Sequence, residues 1–330
     1  MLTMHKEPYD VVIVGGGPVG LYTGLRSASF LLKVHVVDKG RNWSRGFHVP
    51  RYNNIPTHPE GISGKDVINQ LRKGIAAYSD YASIDDFVTI ESIRVSDGLF
   101  RLEGVYNPTN NRRTYTSRAV ILATGIVDRQ PIIGGELKTV FPYANNQLLC
   151  YCIICDGQLS NGKDVAVIGK GETAALTALD LLYFKAKKVT ILTHGEKLFS
   201  DMEKFETKDL KNRLDSMGIN IVTDEIKSLF GLNENLFGVR LAGGKAMSFG
   251  IAFSTLGFYK INNDLALMLG GQIDEDGYVV VDEDCRVLDK SDKAIPGLYA
   301  VGDVTQNWKQ IMIGFGDADK AVIDAWTNYL

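Results

Sequence analysis

The sequence has few cysteines, no excess of positive charge and no long apolar run. Four cysteines in 330 residues are too few for a disulfide-rich secreted scaffold. A net charge of −3 offers no broad basic face for nucleic acid or an anionic membrane. Residues 11–25, the most apolar early stretch, contain five glycines and a proline and are too short to span a bilayer. The N-terminus is charged where a secretory signal would be apolar. We therefore predict a cytoplasmic protein without nucleic-acid or membrane partners.

The length of the chain predicts about two domains, at roughly 100–200 residues each. A hydrophobic fraction of 45% and a charged fraction of 23% are typical of a globular protein with an ample core. No linker rich in proline or serine separates the domains. We therefore place the joints at two inconspicuous positions, near Ser117-Arg118 and near Gly243-Gly244.

A strand–loop–helix–strand pattern near the N-terminus predicts dinucleotide binding. An apolar strand over residues 9–14 leads into Gly15, Gly17 and Gly20 at the GxGxxG positions, and the strand after the helix ends at Asp38. In such units the first glycine makes a tight turn, the second admits a pyrophosphate and the third lets helix and strand pack closely. The helix N-terminus favours phosphates, and the acid can accept from ribose hydroxyls. A merely flexible loop is the alternative, which the complete context disfavours.

A second unit of this kind follows later in the chain. A strand over residues 164–168 leads into a GxGxxA turn with Gly169 and Gly171, then a helix and a strand over residues 189–192. That last strand is followed by Thr193, where the first unit has an acid. Two such units predict an α/β fold with two Rossmann-like dinucleotide-binding domains, holding either two nucleotide sites or one site and a relic.

The C-terminal region carries a third candidate ligand contact. A strand over residues 297–301 runs into Gly302-Asp303, and a closing helix is expected from about Asp317 to Tyr329. Ligands of open α/β sheets bind beyond the carboxyl ends of the strands, so Asp303 is placed to accept a hydroxyl from a sugar-like chain. The alternative is that Asp303 is a helix N-cap.

Three of the four cysteines lie within six residues. Cys152 and Cys155 form a Cys-x-x-Cys pair followed by Asp156, a spacing that suits dithiol–disulfide exchange. A zinc or iron–sulfur site using Cys150, Cys152 and Cys155 with Cys285 as fourth ligand is one alternative, and three inert buried cysteines are another. Metal binding is disfavoured because Cys285 falls in the other predicted domain, so we predict no metal site. Cys150 is assigned no role.

The order of these motifs resembles the low-molecular-weight thioredoxin reductase family over nearly the whole chain. The resemblance rests on residues 15–20, 59–64, 123–125, 152–157, 169–174 and 302–303. Cys-x-x-Cys-Asp-Gly before the second glycine turn is the most specific of these motifs. The resemblance implies a discontinuous FAD-binding domain, residues 1–117 and 245–330. It also implies an inserted NAD(P)-like domain, residues 118–244, that carries the cysteine pair and swivels, and a homodimer.

The resemblance also implies roles for individual residues. Cys155 would face the flavin, Cys152 would attack the disulfide of a thioredoxin-like partner, and Asp156 would exchange protons. The implied cofactor-binding residues are Gly15, Gly17, Gly20, Asp38, Gly125, Gly302, Asp303 and Gln310 for FAD, with Gly169 and Gly171 for a second nucleotide.

The sequence departs from the family where NADPH would bind. Members that use NADPH carry His-Arg-Arg after the second unit's strand and another arginine further on, whereas this chain has Thr193, His194, Gly195 and Phe199. Losing two charge-assisted hydrogen bonds would weaken NADPH binding roughly 10²–10⁴-fold, of which Lys197 is expected to recover a fraction. The combination resembles the NADPH-independent branch, in which ferredoxin is the donor or a second FAD takes the place of NADPH. An NADPH-dependent thioredoxin reductase, a dithiol oxidase and a flavin redox sensor stay as alternatives.

Overall fold

A computed structural model describes residues 7–200, 205–305 and 308–330 of the chain. They form two compact units. The first takes in the chain up to Val127 and again from Lys260 onward, and the second spans Asp128–Tyr259. No helix within the described ranges combines the length and the apolar character needed to cross a bilayer.

The first unit begins with the predicted strand–loop–helix–strand pattern and continues into an antiparallel meander. Its elements up to the first crossing are β1 Tyr9–Val14, α1 Pro18–Ser29, β2 Val34–Val37, α2 Gly64–Ala76, β3 Ala82–Asp85, β4 Val88–Ser96, β5 Leu99–Tyr106 and β6 Asn111–Leu122. Short 3-10 turns over Arg41–Trp43 and Arg45–His48 lie between β2 and α2. Proline at the first position of α1 suits a helix start, because its missing N–H would have no partner there.

The second unit repeats the pattern after the cysteine cluster. Its elements are β7 Ile126–Asp128, α3 Phe141–Asn145, β8 Leu149–Cys150, α4 Ile153–Asp156, β9 Asp164–Ile168, α5 Gly171–Tyr183, β10 Lys188–Leu192, α6 Phe205–Ser216, β11 Asn220–Val222, β12 Ile226–Phe230, β13 Phe237–Leu241, β14 Ala246–Phe249, β15 Ile251–Ser254 and β16 Phe258–Ile261. The chain passes between the units within β7 and within β16.

The chain then completes the first unit. The remaining elements are α7 Asp264–Met268, β17 Arg286–Leu288, β18 Ala294–Ala300, a 3-10 turn Gly302–Val304, α8 Ile311–Asp324 and a closing π-helical turn Ala325–Tyr329. The predicted closing helix therefore begins six residues too late, because the glycine-rich start of α8 is typical of a loop. Gly314 belongs to the helix, where a Cβ would lie 2.5 Å from a methyl of Val19. The glycine lets α8 pack closely on α1.

Each unit is built on a parallel sheet. In the first, the order is β17-β18-β6-β1-β2-β3, and these neighbours pair in parallel except β17, which is antiparallel to β18. Strands β5 and β4 continue from β6 as an antiparallel meander. Alternate residues of β1 enter two different cores, Val11 and Ile13 on one face and Val12 and Val14 on the other. A parallel sheet covered on both faces explains the unbroken apolar run of β1.

The second unit's main sheet has the order β11-β10-β9-β15-β8, and its neighbouring strands pair in parallel. A smaller antiparallel sheet, β12-β13-β14, packs beside it in the same unit. The structure thus confirms the α/β fold with two dinucleotide-binding units. The compact units end later in the chain than the predicted boundaries at residues 117 and 244, because β6 stays in the first sheet to Leu122 and β15 stays in the second to Ser254.

Candidate functional site

The first glycine loop is shaped by contacts that only glycine allows. Gly15 has φ +114°, and a Cβ there would lie 2.3 Å from the carbonyl oxygen of Ala123. A Cβ on Gly20 would lie 1.9 Å from the carbonyl oxygen of Gly15. Gly17 differs, because its backbone is extended and a Cβ would meet only Ser44, whose Oγ lies at 3.1 Å. The fold therefore requires Gly15 and Gly20, while Gly17 keeps the N-terminus of α1 open to a ligand.

Asp38 lies at the end of β2 beside this loop, as the sequence predicts. The N–H of Gly16 donates to Asp38 Oδ1 at 3.2 Å, and Arg72 Nη2 lies 4.0 Å from Oδ2. Burial raises the pKa of Asp38 above its usual range. Its Oδ2 is buried and makes no hydrogen bond. Because a buried acceptor without a donor is costly, this oxygen fits the hydroxyl of a bound ribose.

Asp303 lies in the 3-10 turn after β18 and accepts a hydrogen bond from Arg45 Nη1 at 3.1 Å. The alternative of Asp303 as a helix N-cap is wrong, because Gln310 occupies the N-cap of α8 and the 3-10 turn shows no capping bond from a side chain. Gln310 Oε1 accepts a hydrogen bond from Asn54 at 2.7 Å. No motif in the sequence indicates Arg45 or Asn54.

Gly125 and Gly302 take positive φ angles at the ends of β6 and β18, +63° and +72°. A Cβ on Gly302 would lie 3.2 Å from a methyl of Val19, so this turn packs against the first turn of α1. The glycine loop, Asp38 and Asp303 therefore gather around one helix N-terminus in one unit. An orphaned carboxylate oxygen and an open glycine cradle fit FAD, which supplies an electron pair when bound.

Cys152 and Cys155 are joined by a disulfide, with 5.3 Å between their Cα atoms. Cys152 is the N-cap of α4, and the N–H of Cys155 donates to Cys152 Sγ at 3.1 Å. A hydrogen bond to sulfur at a helix start favours the thiolate form of Cys152 once the disulfide is reduced. Both cysteines are partly exposed, and the side chain of Ile154 between them is exposed. This arrangement can carry two electrons and present Cys152 to another molecule.

The other cysteines are buried thiols. Burial, followed by the charge of Asp156, raises the pKa of Cys150 well above its usual range. Burial likewise raises the pKa of Cys285 to about 12. The described ranges contain no group of three or more His, Cys, Asp or Glu side chains that could hold a metal ion. Because its charge acts on Cys150, the carboxyl of Asp156 lies near that thiol. The sequence shows that Asp156 follows Cys155 but does not reveal that it lies near Cys150.

These environments predict the outcome of a thiol titration. Because Cys150 and Cys285 are buried with raised pKa values, native oxidised protein is expected to show no rapidly reacting thiol. Mild reduction should expose two thiols, and denaturation after reduction should expose all four cysteines. The measurement is reaction with a chromogenic disulfide reagent, with zinc assayed in parallel. An unchanged count after reduction, or stoichiometric zinc, contradicts the redox pair.

The second glycine loop keeps the glycine geometry of its unit. A Cβ on Gly169 would lie 2.0 Å from Thr255 Oγ1, and Gly171 has φ +73°. The N–H of Gly171 belongs to the first turn of α5, where helix donors normally await a ligand. Here it donates to the carbonyl oxygen of Leu198 at 2.6 Å. One donor of this helix start is therefore taken by the protein itself.

Leu198 belongs to the segment after β10, residues 193–199, which we name the β10 loop. Its His194 is held at both ring nitrogens, with Nε2 3.0 Å from the carbonyl oxygen of Ile132 and Nδ1 accepting from the N–H of Ile226 at 3.0 Å. Glu196 forms an ion pair with Lys170 of the glycine turn. His194, which stands where the sequence predicts a lost phosphate-binding arginine, is thus engaged within the unit.

Phe199 and Thr193 complete the β10 loop. Phe199 is buried in the core formed around α5 and β9, and Thr193 Oγ1 donates to the carbonyl oxygen of Glu196. Neither side chain offers a positive charge. The cation of the β10 loop is Lys197, and the loop contains no arginine that could bind two oxygens of a 2′-phosphate at once.

Two glycine-loop units on parallel sheets, with a disulfide ahead of the second, define an FAD-dependent disulfide oxidoreductase. Thioredoxin reductase of Listeria innocua is 25% identical over 97% of this chain and 93% of its own length. One component of the alkyl hydroperoxide reductase of Staphylococcus aureus is 28% identical over 98% of this chain, a match that covers 59% of the relative. The crystal structure of thioredoxin reductase from Streptococcus pyogenes superposes with a TM-score of 0.80 at 23% identity, covering 96% of this chain and 97% of the other.

The chain belongs to the pyridine nucleotide-disulphide oxidoreductase family, which matches residues 9–319. Within that family it is similar to the low-molecular-weight thioredoxin reductases. The predicted family and enzyme class are thereby confirmed.

Proposed function

We propose that this enzyme passes electrons from FAD through the Cys152–Cys155 pair to a thioredoxin-like protein disulfide, and that NADPH is not its donor. The exchange role is supported by the disulfide at the start of α4, where the Cys155 N–H contacts Cys152 Sγ. The engaged β10 loop supports the statement about the donor.

The proposed exchange transfers two electrons in each turnover. The Cys152–Cys155 disulfide takes up two electrons and two protons and becomes a dithiol. The Cys152 thiolate then attacks the partner's disulfide and forms a mixed disulfide, releasing one partner thiol. Cys155 displaces the partner sulfur from Cys152, restoring the Cys152–Cys155 bond and releasing the second partner thiol. Asp156, directly after Cys155, is the proposed proton carrier for these steps.

The second nucleotide site is poorly suited to NADPH, which favours a protein as the electron donor. The phosphate-binding arginines of the family are replaced, and both ring nitrogens of His194 form hydrogen bonds with backbone groups. Glu196 pairs with Lys170 of the glycine turn, so this lysine is already engaged by a carboxylate. We infer that two equivalents of a reduced iron–sulfur protein of the ferredoxin class supply the electron pair.

A second FAD at the second site is the other candidate. It is favoured by the retained glycine geometry at Gly169 and Gly171, which needs no 2′-phosphate contact. A pyrophosphate there would have to compete with the Leu198 carbonyl for the Gly171 N–H. The flavin-to-protein ratio separates the candidates, since a second bound FAD doubles it. A homodimer remains the predicted assembly, and the exposed Ile154 beside the pair is a proposed contact for the partner.

A donor comparison tests the proposal. The flavin-loaded protein is given oxidised thioredoxin as acceptor and NADPH, NADH or reduced ferredoxin as donor, under anaerobic conditions. We expect reduced ferredoxin to support thiol formation and NADPH to support roughly 10²–10⁴-fold less, from the missing arginine contacts. Equal rates with NADPH would overturn the donor assignment. Failure with every donor, while dithionite-reduced enzyme also fails to reduce thioredoxin, would overturn the acceptor.

A further inference from the structure

We propose that Arg45 is an FAD-binding residue whose guanidinium holds the pyrophosphate of the cofactor. No glycine motif or carboxylate of the family pattern marks this position. The inference rests on FAD binding in the first unit and not on the identity of the donor. It is carried by the packing of the residues around Arg45 and by the hydrogen-bond donors beside it.

The neighbours of Arg45 fix its place at the first turn of α1. Ser44 Oγ lies 3.1 Å from the position of a Cβ on Gly17. On the other side, a Cβ on Gly46 would lie 2.5 Å from the ring of Pro18, the first residue of α1. The backbone of the short turn therefore contacts both the second glycine of the loop and the first residue of the helix. Arg45 lies between these two contacts.

A second set of contacts brings Asp303 to the same place. Gly302 packs on Val19 in the first turn of α1, and Asp303 follows it directly. Arg45 Nη1 donates to Asp303 Oδ2 at 3.1 Å, with both side chains about a quarter exposed. The guanidinium thus extends across the N-terminus of α1, from the 3-10 turn Arg45–His48 to Asp303. Its planar fork of five N–H donors matches the geometry of phosphate oxygens.

The donors at this helix start suit a phosphate group. α1 has no acidic residue in its first turn, and the N–H groups and dipole of a helix start attract phosphate. Lys309 is a second cation of this region, and its Nζ donates to the carbonyl oxygen of Thr305, two residues after Asp303, at 2.7 Å. Asp303, Asp274 and Asp317 are the carboxylates that act on Lys309, so the region is not positive on balance. A pyrophosphate at this position would be held by directed donors, the guanidinium of Arg45 and the N–H groups at the start of α1.

A purely supporting role for Arg45 makes a different prediction. If the guanidinium served only to neutralise the charge of Asp303, then FAD affinity would no longer depend on Arg45 once the Asp303 carboxylate is removed. If it holds the pyrophosphate, its loss weakens FAD binding whether or not Asp303 is charged. A double-mutant cycle between the two positions therefore separates the roles, because it reports how far one residue acts through the other.

The experiment measures FAD dissociation constants of deflavinated protein by quenching of flavin fluorescence. Arg45→Gln is compared with wild type, and Arg45→Gln/Asp303→Asn with Asp303→Asn. We expect Arg45→Gln to weaken FAD about 10- to 100-fold in both backgrounds, as the loss of a charge-assisted contact predicts. Arg45→Lys should recover part of the loss.

A matched control is Arg112→Gln, which removes an exposed ion pair with Glu91 in the same unit and should leave FAD affinity unchanged. Thermal unfolding of the flavin-free variants checks that the fold is intact. An effect of Arg45→Gln that vanishes in the Asp303→Asn background overturns the proposal in favour of charge balance. So does unchanged FAD affinity of Arg45→Gln itself. Absence of FAD binding by wild type would instead overturn the FAD assignment.

Discussion

Replacing Cys152 with Ser is expected to lower protein-disulfide reduction by about three orders of magnitude or more, as removal of an essential nucleophile does. Serine cannot share a disulfide with Cys155, so the pair can no longer hold two electrons. Flavin content should stay at the wild-type level, because Cys152 lies in the second unit and the proposed FAD contacts lie in the first. The measurement is a single turnover of dithionite-reduced enzyme with oxidised thioredoxin, which avoids any dependence on the natural donor.

The companion variant Cys155→Ser separates the roles of the two sulfurs. It retains the attacking thiol but lacks the one that resolves the mixed disulfide, so it should form a covalent adduct with thioredoxin on a non-reducing gel. Cys152→Ser should form no such adduct. Cys285→Ala, which changes a buried cysteine of the first unit, is the control expected to turn over normally. Turnover of Cys152→Ser within about tenfold of wild type would refute the assignment.

Substituting Val for Gly17 is expected to remove bound flavin almost completely. The extended backbone at Gly17 accepts a side chain, and its nearest neighbour is the hydroxyl of Ser44, so the unit should still fold. The added methyls would fill the space through which a pyrophosphate reaches the α1 N-terminus. We expect FAD affinity to fall by about two orders of magnitude or more, in line with losing several charge-assisted contacts at once. Absorbance of flavin released by denaturation measures the effect.

Two other glycine substitutions serve as comparisons for Gly17→Val. Gly20→Ala places a Cβ 1.9 Å from the Gly15 carbonyl oxygen, so it should destabilise the unit itself by about 2–3 kcal/mol, as overpacking does. Gly243→Val lies on an exposed turn of the second unit with only ordinary contacts, so it should alter neither flavin content nor stability. Stoichiometric flavin in Gly17→Val would show that the loop does not hold the cofactor.

Strands, glycine loops and the disulfide can be predicted from the sequence because each rests on local chemistry. The first strand, Tyr9–Val14, has in the structure the bounds that the sequence predicts, since a strand buried on both faces is a continuous apolar run. The disulfide spacing is equally local. Element ends are predicted less accurately, as at α8, where Gly314 serves a contact with Val19 that lies far away in sequence.

Tertiary partners are beyond the reach of the sequence. The ion pair of Arg45 with Asp303 joins residues 258 positions apart, and no spacing rule relates them. The arginine losses after β10 are visible in the sequence, but the hydrogen bonds that engage His194 and the Leu198 carbonyl are not. Such contacts depend on which loops each sheet brings together. The sequence therefore predicts which groups are present, and the fold decides which of them remain available to a ligand.

The account is tested most directly by mixing oxidised, flavin-loaded protein with NADPH in an anaerobic stopped-flow instrument and following flavin absorbance. The replaced arginines and the engaged β10 loop predict little or no bleaching at micromolar NADPH, while reduced ferredoxin or dithionite bleaches the same sample fully. A single flavin per chain in that sample would support the ferredoxin-class donor, and a ratio of two would support a second FAD. Rapid, complete bleaching by micromolar NADPH would contradict the account and make this enzyme an NADPH-dependent thioredoxin reductase.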